Sequence, residues 1–168
     1  PLSLINTEKG LSDLHVRTLA LTSNGDVLAA TDQGINICRL VNGKATVNVI
    51  GPKNGLPDYY VTSIAAAGNN TYWIGMQEKG FCLYDHSSGK ITIPAAAQSW
   101  SYGQVNELLV SQKNLWIATE ENGLLKQSGM NSPAEFYNSS TGIQNKINNL
   151  LQDNEGNIWA TAANKLIS

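Results

Sequence analysis

Three of the four tryptophans stand at one fixed spacing. Trp73, Trp116 and Trp159 are 43 residues apart each time. Each sits in the same phrase, a polar turn and then Trp among small and aliphatic residues: "GNNTYWIGM", "QKNLWIAT", "DNEGNIWAT". A further copy, "SNGDVLAAT" at 23–31, puts Leu28 in the Trp slot. About twelve residues before each anchor an aliphatic opens an apolar run: Val16, Val61, Val105 and Ile147. After the first three anchors comes a glycine with an apolar neighbour, Gly34-Ile35, Gly80-Phe81 and Gly123-Leu124. Asn164 takes that place in the fourth unit, and Asn is enriched among residues that adopt positive φ. A glycine-apolar pair also leads three units, Gly10-Leu11, Gly55-Leu56 and Gly142-Ile143, whereas the third has "WSYGQ". A repeat of this length outranks every other signal, because it fixes the architecture.

Inside the repeat the pattern is that of strands. "VRTLALT", "VTSIAAA", "VNELLVS" and "INNLLQD" are short apolar-rich runs, followed by the Trp phrase, then by "INICRLV", "FCLYDHS" and "LLKQSG", then by "ATVNVI", "ITIPAAA" and "AEFYNS". Asn-Gly, Ser-Gly-Lys and Glu-Gly-Asn separate them, which is hairpin chemistry. Each unit therefore reads as four antiparallel strands, a to d, and the chain as an all-β set of β-propeller blades. The repeats run approximately over 10–54, 55–98, 99–141 and 142–168. Residues 1–9 occupy the place of a d strand, and "NKLIS" ends inside strand c, which gives sixteen strands. Two arrangements fit. One is an arc of a larger propeller; the other is a closed four-bladed ring in which residues 1–9 complete the last blade. The arc is the expectation, since Pro1 stands where a native start would have Met. Trp73, Trp116, Trp159 and Leu28 are then buried core anchors that pack one blade on the next.

Composition removes several functions. The formal net charge is −2 and the 11 Lys and Arg are scattered singly, so no basic stripe is offered to nucleic acid. No apolar run approaches the ~18 residues of a membrane helix. Charged residues make up 14 % of the chain, and 19 Asn carry much of the polar load, as a fold of many tight turns requires. Cys38 and Cys82 lie in separate repeats, too few for a disulfide framework, and read as small buried hydrophobes. No Gly-x-Ser-x-Gly elbow, His-Glu-x-x-His or paired-Cys motif is present, so neither a catalytic residue nor a metal or cofactor is expected.

"GLSDLHVRTLALTSNGDVLAATDQGI" and "GIQNKINNLLQDNEGNIWATAANKL" resemble the two-component regulator propeller repeat. The fourth unit matches best, through Asp153, Gly156, Ile158, Trp159 and Thr161; the second keeps Trp73, Ile74, Gly75, Gly80 and Tyr84. The first unit lacks the Trp and the third lacks the turn glycine. The resemblance implies the periplasmic sensor or relay part of a membrane-anchored hybrid two-component histidine kinase. It also implies an oligosaccharide ligand from polysaccharide breakdown and control of transcription. A propeller used only as an interaction scaffold is the alternative, with neighbouring blades or a second copy of the chain as partners. A propeller lyase or hydrolase is another, since streptogramin-lyase-like propellers share this style of repeat.

In a propeller the d–a and b–c loops share one face around the central channel. The d–a loops here carry Asp13, His15, Asp58, Tyr59, Tyr60, Trp100 and Tyr102; the b–c loops carry Asp32, Glu78, Lys79, Glu120 and Glu121. Aromatics beside acids suit stacking on sugar rings with hydroxyls bonded at the edge. Tyr59, Tyr60, Trp100, Tyr102, Glu78, Lys79, Glu120 and Glu121 are the expected ligand residues. Trp100 stands out because it leaves the strand-b register of the other three Trp.

Overall fold

The computed structural model describes residues 4–163 and 165–168. The first sheet holds β1 (Val16–Leu21), β2 (Val27–Thr31), β3 (Gly34–Val41) and β4 (Lys44–Ile50). The second holds β5 (Val61–Gly68), β6 (Thr71–Met76), β7 (Phe81–Asp85) and β8 (Ile91–Thr92). The third holds β9 (Val105–Ser111), β10 (Asn114–Thr119), β11 (Leu124–Gln127) and β12 (Glu135–Tyr137). The fourth has β13 (Asn149–Gln152), β14 (Ile158–Ala162) and β15 (Lys165–Ile167). Strands pair antiparallel with their sequence neighbours in every sheet. These are propeller blades laid side by side in an arc. Among the described residues, no helix is long and apolar enough to cross a membrane.

Two sequence expectations change at the ends of the chain. The described residues carry fifteen strands, not sixteen. The leading segment is no d strand from residue 4 onward: it has no regular structure at 4–6 and forms a 3-10 turn at Thr7–Lys9. It runs beside the first blade, where Gly10 approaches Val47 of β4 and Ile5 lies over Val27 and Cys38. The last sheet has three strands among the described residues, and residues 4–9 do not join it, which fits the arc rather than the closed ring. Asn164, expected at positive φ, lies outside the described residues.

The leading glycines have a local cause. Gly10, Gly55 and Gly142 each end a 3-10 turn in the left-handed region, at φ 96°, 92° and 85°. That backbone is costly for residues with a Cβ. The following Leu11 and Leu56 are thereby turned into the core. The third unit has its 3-10 turn at Ala95–Ala97 and ends it right-handed at Gln98, which is why no glycine stands there.

Strand b reads in two directions. In β6, Tyr72, Ile74 and Met76 join Leu28, Ala30 and Ile35 of the first blade in one buried cluster. Trp73 points the other way and packs with Phe81 against Val105, Leu115 and Ile117 of the third blade. Trp116 does the same toward Ile147, Leu150 and Ala160 of the fourth. Period-two alternation thus gives every blade a backward and a forward face. Leu28 is fully buried, but the three Trp are half-buried rather than buried anchors. Trp73 and Trp116 are half-buried partners of the second and third clusters, whereas their strand neighbours Ile74 and Ile117 are fully buried. Trp159 belongs to none of the clusters and donates its indole N–H to the Asp153 carboxylate at 2.8 Å. Cys82 is buried, which pushes its thiol up to about 12; Cys38 is only half-buried.

Candidate functional site

In the second and third blades the d–a and b–c loops are laced together by the backbone. The amide of Gln77 donates to the Tyr60 carbonyl at 3.0 Å, Glu120 to Gln104 at 2.9 Å and Glu121 to Tyr102 at 3.3 Å. Asp58 accepts from the amides of Tyr60 and Glu78, so one carboxylate ties both loops of the second blade. The loops therefore share one face.

On that face a cleft of about 700 Å³ opens where the innermost strands begin. It is lined by Leu14, His15, Val16 and Arg17 from the first blade with Asp32, by Thr62 from the second, and by Gln104 and Asn106 from the third. The register explains the set. The residue after the aliphatic that opens strand a is Arg17, Thr62, Asn106 or Asn148, polar in all four units. In the last three units the aliphatic, Val61, Val105 or Ile147, turns into the interface between blades and its polar neighbour falls on the opposite side of the strand; Val16 is exposed and lines the cleft beside Arg17.

These side chains are held in place. Arg17 Nε donates to Asp32 Oδ1 at 2.5 Å. Thr62 Oγ1 donates to the Val105 carbonyl at 2.6 Å, and Asn106 Nδ2 to the Ile147 carbonyl at 2.8 Å, each bridging to the next blade. Asn106 also donates to Glu120, whose other oxygen takes Lys146 Nζ at 2.5 Å. The Lys146 bond holds the Glu120 carboxyl below its usual range, and Asp32 raises the Arg17 guanidinium. Asp13, His15 and Asp32 offer ligand atoms within 4.8 Å of one another. A guanidinium already sits on Asp32 there, so the trio is a salt-bridged rim with its cation supplied by the chain.

The residues expected from sequence are distributed around this cleft rather than in it. Tyr59 and Tyr60 are exposed. Trp100 is half-buried: its ring meets Phe81 and Tyr102 edge-on, at 5.7 and 4.9 Å, and its N–H donates to the Gly103 carbonyl at 2.7 Å. It wedges the second and third blades while leaving one side in a smaller cleft of about 310 Å³ with Lys79 and Pro57. Glu120 reaches the large cleft through Asn106; Glu121 lies against Gly103, and the Glu78 amide donates to Asp58. Arg17, Thr62, Gln104 and Asn106 line the cleft without having been singled out from the sequence. Their signal was the polar second residue in four otherwise apolar strands.

No family model and no curated protein matches the chain. Solved structures do match. The extracellular domain of BT4673 from B. thetaiotaomicron, described as a one component system, aligns over 96 % of this chain and 22 % of its own, at TM-score 0.76 and 21 % identity. A second structure of that protein's extracellular domain, described as a hybrid two component system, gives TM-score 0.68 at 22 % identity over 90 % and 21 %. Virginiamycin B lyase from Staphylococcus aureus gives 0.67 at 13 % identity over 90 % and 50 %. At such identities the likeness is one of fold. The chain spans about a fifth of the sensor ectodomains and half of the lyase.

Proposed function

We propose that this chain is part of the extracytoplasmic, periplasmic sensor of a membrane-anchored hybrid two-component histidine kinase. It relays the presence of a carbohydrate-derived ligand to transcription. The observation that carries the reading is the match of 96 % of the chain, at TM-score 0.76, to the extracellular domain of BT4673. The repeat phrase that resembles two-component regulator propellers supports it independently. The chain's part is to present a polar face and to hold its blades in register. The Cys82 thiol, pushed up to about 12 by burial, is no nucleophile. The kinase chemistry belongs to other parts of the parent.

The test is genetic and uses the whole protein. Cells with and without the gene are grown on single polysaccharides, and transcription is compared. The reading expects one polysaccharide whose utilisation genes rise only when the gene is intact. Identical responses in both strains on every polysaccharide would exclude it.

A further inference from the structure

We propose that the channel-mouth cleft, and not the aromatic rim, is the ligand subsite, and that it takes an uncharged polyhydroxyl group such as a neutral sugar residue. The proposal rests on the carbohydrate reading above and deepens it. A volume of about 700 Å³ holds two or three sugar rings, within the span of small-molecule sites.

The class follows from the bonding capacity left over. Arg17 uses Nε on Asp32, and among the described residues its two terminal nitrogens meet no partner. Asp32 Oδ2 has only the ring of His15, at 3.6 Å. Thr62 has spent its proton on Val105 and retains both lone pairs. Gln104 donates to Asn106 at 3.0 Å and keeps its carbonyl oxygen. The wall therefore offers the free guanidinium nitrogens of Arg17 as donors beside open acceptors on Asp32, Thr62 and Gln104. A hydroxyl is both at once, so a row of hydroxyls satisfies such a wall where an ion would not. Leu14 and Val16 supply the apolar floor that the C–H face of a sugar ring needs, and both are exposed there.

Charge decides against an acidic sugar. The full charges at the mouth are Arg17 against Asp13 and Asp32, with Glu120 and Lys146 paired beyond them. Arg17 offsets one of these two carboxylates, so a sugar carboxylate entering the cleft still meets an uncompensated one. The lining is also fixed before any ligand arrives, since Arg17, Thr62, Gln104 and Asn106 each already hold a hydrogen bond. Little side-chain freedom remains to be lost on binding.

The experiment is calorimetry on the full-length protein with maltotriose, xylotriose and mannotriose, and with trigalacturonic acid as the acidic counterpart. The proteins are wild type, Arg17→Gln and Leu14→Glu. Leu14 is exposed, so its variant folds even if loss of the Arg17 ion pair disturbs the loop. At least one neutral trisaccharide should bind wild type and weaken about tenfold or more in both variants, as loss of a charged hydrogen bond does. Binding unchanged in both removes the cleft while the carbohydrate reading stands. Tighter binding of trigalacturonic acid than of every neutral probe overturns the class. No binding of any probe overturns the subsite, and the transcription test then tells whether the sensor reading falls with it.

Discussion

The interface between the first and second blades and the one between the third and fourth share a register but not a composition. The first buries Leu28, Ile35, Tyr72, Ile74, Met76 and Tyr84. The other rests on Ala118, Ala160 and Ala162 with Leu124, Ile147 and Leu150. The first interface also carries a polar lock on the rim opposite the cleft. Asp26, fully buried, takes both Nε and Nη2 of Arg39 at 2.6 Å. From the second blade His86 Nε2 comes to 3.3 Å of the same carboxylate, and Tyr84 holds the other ring nitrogen at 3.3 Å. The Tyr72 hydroxyl donates to the Leu21 carbonyl across the same seam. One register can thus be filled tightly or lightly. Dispersion and apolar burial scale with the atoms supplied, so cohesion falls along the arc.

The largest effect is expected at the filled seam. Ile74→Ala should cost about 3–4 kcal/mol in urea unfolding, because Ile74 has no exposed surface and a cavity would remain. Leu150→Ala in the lighter seam should cost about 2 kcal/mol, since small neighbours collapse more readily. Equal losses would break the comparison.

The polar lock comes next. Arg39 leads the causes that hold the Asp26 carboxyl down to about 2, against an ordinary value of 3.8. A depressed carboxylate stabilises the fold above its unfolded pKa, and that contribution is lost as pH falls from about 4 through 2. It amounts to on the order of 2 kcal/mol or less, since Arg39 is half exposed and screened. Asp26→Asn should lower stability by that order at pH 7 and flatten the wild-type decline between pH 4 and 2. Parallel pH curves for the two proteins would show that the lock contributes nothing.

The smallest single loss is expected within the repeat's own signature, at Trp159, and it contrasts with Trp73. Trp73→Ala should cost about 2–3 kcal/mol, because the indole packs with Phe81 at 5.8 Å inside a buried cluster. Trp159→Ala should cost under about 1 kcal/mol, since that ring packs against none of the three clusters. A loss at Trp159 as large as at Trp73 would mean that something covers the last blade's forward face in solution.

Much of this fold was legible from spacing alone. The 43-residue period, the opening Val16, Val61, Val105 and Ile147, and the turn glycines are repeated local demands of one backbone geometry. The sequence did not tell which neighbour of the Trp is buried deepest. Period-two alternation marks two faces, but in a propeller both are covered, so Ile74 and Trp73 look alike until a blade is placed on each side. The leading segment misled because its apolar residues suit a strand, whereas a 3-10 turn capped by Gly10 decides its course. The cleft was half visible. Loop aromatics drew attention by type, while Arg17, Thr62 and Asn106 lie inside strands, where a polar residue reads as ordinary alternation.

Native-state hydrogen exchange tests the graded cohesion most directly. Strands β6 and β14 are both central in their sheets and pair on both sides, so their intra-sheet bonding is comparable. The packing against neighbouring blades differs most: β6 is packed on both faces by buried clusters, β14 on one. The amides of Trp73, Ile74 and Gly75 should exchange at least about tenfold more slowly than those of Trp159, Ala160 and Thr161, a gap of about 1.4 kcal/mol in opening free energy. Equal protection of the two strands, or slower exchange in β14, would contradict the account.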